Sequence, residues 1–543
     1  MISRLFVLLT TLALVATAKA APAVLGNPSA PQGGTFSMYY DADPETLNPI
    51  TSTDLYAQEL HKLVMDTLLY EDLDTHEWRP SAAEKYEVSK DGKQITFTLR
   101  KGLKWQDGKP LTVDDVKFSY DVIMSGEYPT AAQKPYYENF EKAEIVDANT
   151  IRFLIKTKYF GNLEQIGTLI LVPKHIYQNA AEGKKLNKSV IGSGPYKIEK
   201  YDQGQSILLA KNKDWWGFSD PSQKGRFNFD HIRIRFLKES NLVIEALKKG
   251  DIQFGGLTAE DYVKKTSDPE WGKTVLKIKT ENMAPKSYGY IGWNLRKPMF
   301  ADVKVRHALQ MLMNREEMIH KFQYDMSLPA TGPLYQQSEY ADPSVKAVKF
   351  DLKEAVKLLK EAGWSDSDKD GMLDKTVNGV KQNFSFSVMY GGKDSEKYLV
   401  MYQSDLRKAG IEMKLQMLEW NAMLKNVDEG NFDAMALAWG AGSVDWDPKQ
   451  VWHSSSAVKG GSNFIGYKNP EVDKLIDEAR QELDKKKRVK LLRVVYRKIA
   501  EDYPYAFMFN QKNILYARST KLGVPKDTMK YGIGTQYWWM AKQ

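Results

Sequence analysis

The chain has no cysteine among its 543 residues. That excludes disulfides, thiolate metal sites, cysteine nucleophiles and a lipid-modified N-terminal cysteine. Long apolar runs are missing too: past residue 20 nothing approaches the ~20 consecutive apolar residues that cross a bilayer. Enzyme signatures are equally scarce. The seven histidines (His61, His76, His175, His231, His307, His320 and His453) form no HExxH and no pair at metal-ligand spacing. There is no GxSxG elbow, no P-loop and no GxGxxG opening a helix. Nor does one charge dominate: 77 Lys+Arg against 69 Asp+Glu leave a formal +8, small for this length and a weak argument for a nucleic-acid partner. Internal repeats, low-complexity tracts and long linkers are not found, and nothing calls for a cofactor.

With 42% hydrophobic and 27% charged residues, the chain reads as globular. At ~100–200 residues per domain it holds two to four domains. The N-terminus has its own logic: Arg4, then an apolar and threonine run from Leu5 to Ala16, then Ala18-Lys19-Ala20 as a small-x-small cleavage pattern. Residues 1–20 are therefore expected to be a signal peptide removed after Ala20. Loss of Arg4 and Lys19 lowers the formal charge from +8 to +6. The mature product is expected to be exported, without a membrane anchor, and periplasmic.

Residues 21–34, rich in Pro, Gly, Ala and Ser, read as a flexible leader. Strands are predicted at 35–40, 86–88, 95–99, within 144–155, and at 196–200, 206–211 and 231–236. Further strands are predicted at 383–390, 411–418 and 434–438. Helices are predicted at 55–69, 240–249, 303–324, 352–362, 394–409 and 470–502, with Thr112 capping another. Strands and helices intermix throughout, which favours an α/β or α+β fold in several lobes.

Two loops could carry chemistry. Asp366, Asp368 and Asp370, followed by Gly371, begin like a calcium loop, but Val377 stands where the bidentate Glu belongs. An Asp/Gly-rich hairpin is the competing reading. The other loop, Trp439-Gly440-Ala441-Gly442-Ser443-Val444-Asp445-Trp446-Asp447-Pro448, leaves a strand carrying two carboxylates among aromatic rings. The carboxyl end of a strand is where open α/β sheets bind ligands. A carboxylate beside aromatics can hold an ammonium group; a solvated turn is the alternative.

Several ordered segments together resemble the extracellular solute-binding proteins of ABC importers, in the family 5 class of oligopeptide-, dipeptide- and nickel-binding proteins. They include Asp43-Pro44-Glu45-Thr46-Leu47-Asn48-Pro49, the block from Leu99 through Trp105, Asp107 and Gly108 to Val116, and Gly192-Ser193-Gly194-Pro195-Tyr196. Asn212 to Gly217, Trp293-Asn294, Phe300 to Leu309 and Gly466 to Leu475 continue the series. The resemblance implies a two-lobed α/β fold of the periplasmic-binding-protein kind (type II), with an extra domain inserted in the N-terminal lobe. On this basis lobe I is expected at 35–63, 187–272 and 507–543, the inserted domain at 64–186 and lobe II at 273–506. It also implies that an Asp after the tryptophan-bearing strand pairs with a peptide's ammonium. Asp445 is the first candidate and Asp447 the second, because the family's usual offset falls on Gly442. Trp439, Gly440, Trp446, Tyr290, Trp293 and Asn294 are expected to line the cleft. Gly192 and Gly194 are expected to permit a tight turn, and Asp302 and Arg306 to pair at i,i+4.

The resemblance implies peptide capture by hinge closure and delivery to a membrane permease, by a non-enzymatic monomer. The alternatives are a nickel chelate, haem or oligosaccharide on the same fold, or, in another class, a secreted hydrolase.

Overall fold

The structure is a computed structural model that describes residues 25–541 apart from 53, 132 and 378. The signal peptide expected at 1–20 lies outside the described residues. From Leu25 onward the leader is packed against the fold: Gly33 N–H donates to the Asn228 carbonyl at 2.8 Å, and a Cβ on Gly26 would lie 2.4 Å from the Gly225 carbonyl.

The first sheet has four strands in the order Thr35–Tyr40, His231–Phe236, Ser206–Lys211, Tyr196–Asp202. The outer strand Thr35–Tyr40 finds its parallel partner almost two hundred positions later. Inserted between them is a separate antiparallel sheet in the order Ala83–Val88, Gln94–Leu99, Thr150–Ile155, Phe140–Asp147. One hydrophobic core, including Phe36, Ile234, Phe97 and Phe153, runs under both sheets.

The second half is built on six strands ordered Ser327–Pro329, Tyr505–Gln511, Tyr288–Trp293, Ala434–Trp439, Ser385–Tyr390, Glu412–Met417. The period-2 alternation of a strand divides its residues between two cores. Ile291, Val388, Ala434 and Ala506 face the helices Val303–Met311, Leu352–Glu361 and Lys393–Lys408. Tyr290, Met389, Met435 and Phe507 face Trp420–Glu429, Pro470–Gln481 and Lys485–Glu501. Helices on both faces of a largely buried sheet place the fold in the α/β class.

A three-stranded sheet, Phe254–Gly256, Ile514–Ser519, Val275–Thr280, joins the halves. Val275–Thr280 continues through residues 281–287 into Tyr288–Trp293, and Tyr505–Gln511 through 512–513 into Ile514–Ser519. Each pair is antiparallel, so two adjacent chain crossings link the lobes. Tyr505–Gln511 pairs within the six-stranded sheet, so the return to the first lobe falls after this strand and not at residue 507 within it.

Several elements differ from expectation. The stretch 303–324 is two helices, Val303–Met311 and Arg315–Gln323, because the Asn314 side chain accepts from Glu317 N–H at 3.3 Å and starts a new helix. The stretch 470–502 divides likewise: Asp484 accepts from Lys487 N–H at 3.0 Å. The helix from Leu55 ends at Val64. Asp302 and Arg306 do not pair. Asp302 caps its helix by accepting from Lys304 N–H, while the Arg306 guanidinium donates to the carbonyls of Phe300, Ala301 and Asp502. Gly192 and Gly194 serve close approach and not a left-handed turn, since a Cβ on Gly192 would sit 1.7 Å from the Val64 carbonyl oxygen.

Candidate functional site: a cleft closed over a strand end

Ala434–Trp439 is the strand that carries the site. Along one edge it pairs with Tyr288–Trp293 over its whole length. Along the other it meets Ser385–Tyr390 only at Val388↔Ala434 and Met389↔Met435. The partner chain then leaves through Gly391 and Gly392 into the next helix. Among the described residues, the Ala436–Trp439 stretch therefore has no strand on that edge. Gly440, Ala441, Gly442 and Ser443 follow as exposed backbone. Gly442 has φ 66°, in the left-handed region, and nothing lies within 4 Å of where a Cβ would stand on Gly440 or Gly442. The result is a stretch of accessible main chain with little side-chain cover.

An aromatic wall backs it. The Trp439 ring stacks on Phe464 with centroids 5.6 Å apart and on Tyr290 at 6.1 Å, and Tyr290 stacks on Tyr505 at 3.9 Å. Tyr290 is 1% exposed and backs the wall from within the core. Trp293 and Asn294 lie deeper. Trp293 is fully buried against Phe300 and Phe386, and Asn294 donates to the carbonyls of Gly430 and Phe432, fixing the turn that feeds the strand. Trp446 is buried against Tyr496. Of the sequence-predicted lining residues, Gly440 and the edge of Trp439 face the open side.

Both candidate carboxylates already have partners, and those partners come from both sides of the cleft. Asp445 accepts a hydrogen bond from the Tyr340 hydroxyl. Its other oxygen lies 3.7 Å from His76 Nε2 and 3.6 Å from the Arg488 guanidinium, and Lys485 Nζ is 3.9 Å away. Burial alone would raise its pKa. The hydrogen bond from Tyr340 and the charges of His76, Arg488 and Lys485 outweigh burial and hold the group below the usual carboxylate range. His76 responds in the opposite sense: burial pulls its pKa down, but the hydrogen bond to Glu71 and the negative charges of Glu71 and Asp445 raise it to about 9. It is therefore an imidazolium at neutral pH, between one carboxylate of its own segment and one of the opposite lobe. Asp447 pairs with Arg480, accepts from the Tyr159 hydroxyl at 2.9 Å and accepts from Lys449 N–H.

Further contacts close the same seam. Ser443 Oγ donates to Glu164 at 3.0 Å, and Phe160 N–H donates to the Arg480 carbonyl at 3.0 Å. The guanidinium groups of Arg480 and Arg488 lie over the rings of Tyr159 and Phe160, each at 4.3 Å. Sequence reasoning did not single out His76, Tyr159, Phe160, Glu164, Tyr340, Arg480, Lys485 or Arg488. None sits in a local motif, and only the fold brings them together.

The calcium-like loop forms a different arrangement from the one expected. Asp366, Asp368 and Asp374 gather within 4.8 Å, while Asp370 is outside the group and accepts from Met372 N–H. Asp366 accepts from the amides of Asp370 and Gly371, and Lys381 pairs with Asp368 and Asp374. A lysine ammonium thus supplies positive charge at this cluster.

Two α/β lobes joined by two crossings and meeting along a seam define a two-lobed protein of the binding-protein kind. A family model described as bacterial extracellular solute-binding proteins, family 5 Middle, matches residues 77–463, and the chain belongs to that family. It is 32% identical over 524 residues to the oligopeptide-binding protein AppA of Bacillus subtilis, covering 94% of this chain and 92% of that one. The solved structure of that AppA in complex with a nonapeptide superposes with a TM-score of 0.74, covering 94% of this chain and all of the other. The fold is shared more widely. NikZ from Campylobacter jejuni in complex with Ni(L-His) superposes with a TM-score of 0.74 at 22% identity, covering 93% and 99% of the two chains.

Proposed function

We propose that this chain captures peptides in the periplasm and delivers them to an ABC permease of the inner membrane, with no bond made or broken. The observation that carries this reading is the edge of Ala436–Trp439, without a partner strand among the described residues, running on into exposed Gly440–Ser443. Such an edge offers amide and carbonyl groups at strand spacing, to which an extended peptide adds as a further strand. Recognition through main chain tolerates varied side chains. The AppA relative, named as oligopeptide-binding and solved with a nonapeptide, supports the same ligand class. Trp439, Gly440 and the backing Tyr290 are the residues we place nearest the ligand. The alternative of sugar stacking is disfavoured because the Trp439 ring is engaged with Phe464 and Tyr290 and donates to the Tyr505 hydroxyl.

Ligand touching both lobes stabilises the closed form, and that closed shape is what a permease distinguishes from the open one. Export through residues 1–20 and action as a monomer complete the proposal. The test is mass spectrometry of whatever leaves the purified mature chain on denaturation. A ladder of short peptides is expected. A single sugar, haem or metal chelate in their place would overturn the ligand while leaving the fold intact.

A further inference from the structure

We infer that Asp445 is a latch between the lobes and not an anchor for the ligand, so that the peptides bound by this chain need no free amino terminus. The inference rests on the peptide reading above and goes beyond it to the chemistry of the ligand's end.

A carboxylate that holds a ligand's ammonium needs two things. It must present a free oxygen to the cleft, and its charge must lack a counter-ion until the ligand arrives. Asp445 fails the second condition outright, and protein groups already face both of its oxygens. One oxygen takes the Tyr340 hydroxyl, and the other faces His76 at 3.7 Å and Arg488 at 3.6 Å, with Lys485 at 3.9 Å from the group. Three protein cations lie against this carboxylate; Lys485 is closer to Glu339, at 2.7 Å, and His76 is shared with Glu71, so the two that stay buried against Asp445 are His76 and Arg488. They are not loosely placed: the side chains of His76 and Arg488 are 3% and 5% exposed, and Glu71 fixes the far nitrogen of the His76 ring. Arg488 is pinned further by its place over Phe160 and by donating to the Glu482 carbonyl. A fourth cation brought to this position would meet like charges in a poorly solvated site.

Asp447 is engaged in the same way, by Arg480 and by the Tyr159 hydroxyl. Glu164 also touches the loop, but it accepts from Ser443, and burial, reinforced by the charges of Asp445 and Glu71, raises its pKa. The acids around the 440–447 loop thus bind protein to protein across the seam. What remains for the ligand along this loop is main chain, and main chain does not distinguish a charged amino end from an acylated one or from the middle of a longer peptide. The ligand class assigned is peptides with blocked or extended amino ends, bound as well as those with free ones.

The experiment is calorimetry on the full mature chain with matched peptides, each prepared with a free and with an acetylated amino end, repeated on Asp445→Asn. Dissociation constants within about threefold of each other for each pair are expected. Asp445→Asn should weaken both members alike. Weakening by about thirtyfold or more on acetylation, with the difference lost in Asp445→Asn, would overturn the inference and restore Asp445 as the ammonium partner. If neither member of any pair binds, the peptide reading itself fails and this inference falls with it.

Discussion

At the scale of single residues, His76 concentrates the most chemistry in the least space. It adopts φ 57°, a left-handed conformation that a non-glycine residue enters at some expense, and its ring lies between Glu71 and Asp445. The other groups facing it are Glu164, whose charge it feels, and the rings of Trp78 and Tyr531. Its folded pKa of about 9 lies above the ordinary value of 6.5. Its stabilising contribution is therefore complete below about pH 6.5 and is lost as pH rises through about 9. His76→Gln is expected to lower the melting temperature at neutral pH by about 1–3 °C, by progressively less as pH rises toward about 9, and by little above it. A difference between the two proteins that stays constant with pH would show that the imidazolium charge plays no part. The sequence pointed to Asp445 because it stands in a Gly- and Trp-rich loop. It gave no sign of His76, Tyr340 or Arg488 as partners, since each is remote in the chain and meets Asp445 only through tertiary packing.

At the scale of elements, the apolar periodicity located most of the strands of the first two sheets and the longer helices, missed Tyr288–Trp293, Ile514–Ser519 and the helix Trp420–Glu429, and ran two helices through their breaks. The helix at 303–324 was read through its break because Met311, Leu312 and Met313 continue the apolar pattern up to Asn314. Asn314 with Glu317, and Asp484 after Glu482-Leu483, were start signals hidden inside longer helical patterns. Glycines show a second limit, because a sequence cannot separate one needed for conformation from one needed for space. Gly192 is the latter and Gly442 the former. Gly192→Ala should destabilise by about 3 kcal/mol or more in urea unfolding, because its Cβ meets backbone that cannot yield. Gly442→Ala, with open space around it, should cost only about 1 kcal/mol from its φ, yet weaken peptide binding in calorimetry. Equal effects of the two substitutions on stability would contradict the distinction.

For the whole molecule, two lobes and two neighbouring crossings define an opening motion, and the seam opposite those crossings decides how readily it occurs. Asp447→Ala removes the acceptor shared by Arg480 and Tyr159. In small-angle scattering of ligand-free protein this should raise the radius of gyration by on the order of 1 Å, with ligand restoring the wild-type value. An unchanged radius would show that these contacts do not hold the lobes together. The two-lobed plan became legible through ordered segments that match a family, while composition and periodicity reached only a mixed fold in several parts. The seam was not legible at all, because its two faces come from segments hundreds of residues apart.

The open edge at Ala436–Trp439 has a consequence for life in a crowded compartment. A bare strand edge invites pairing with any other exposed strand, including that of a second copy, and is a common start of aggregation. Here the loop that follows the edge is tied through Asp445 and Asp447 to the segments that bear His76 and Tyr159, which would hinder the flank of another folded molecule more than a single slim chain. The geometry that admits a ligand thus also works as a steric filter against self-association. A variant held permanently open would be expected to lose solubility as well as affinity.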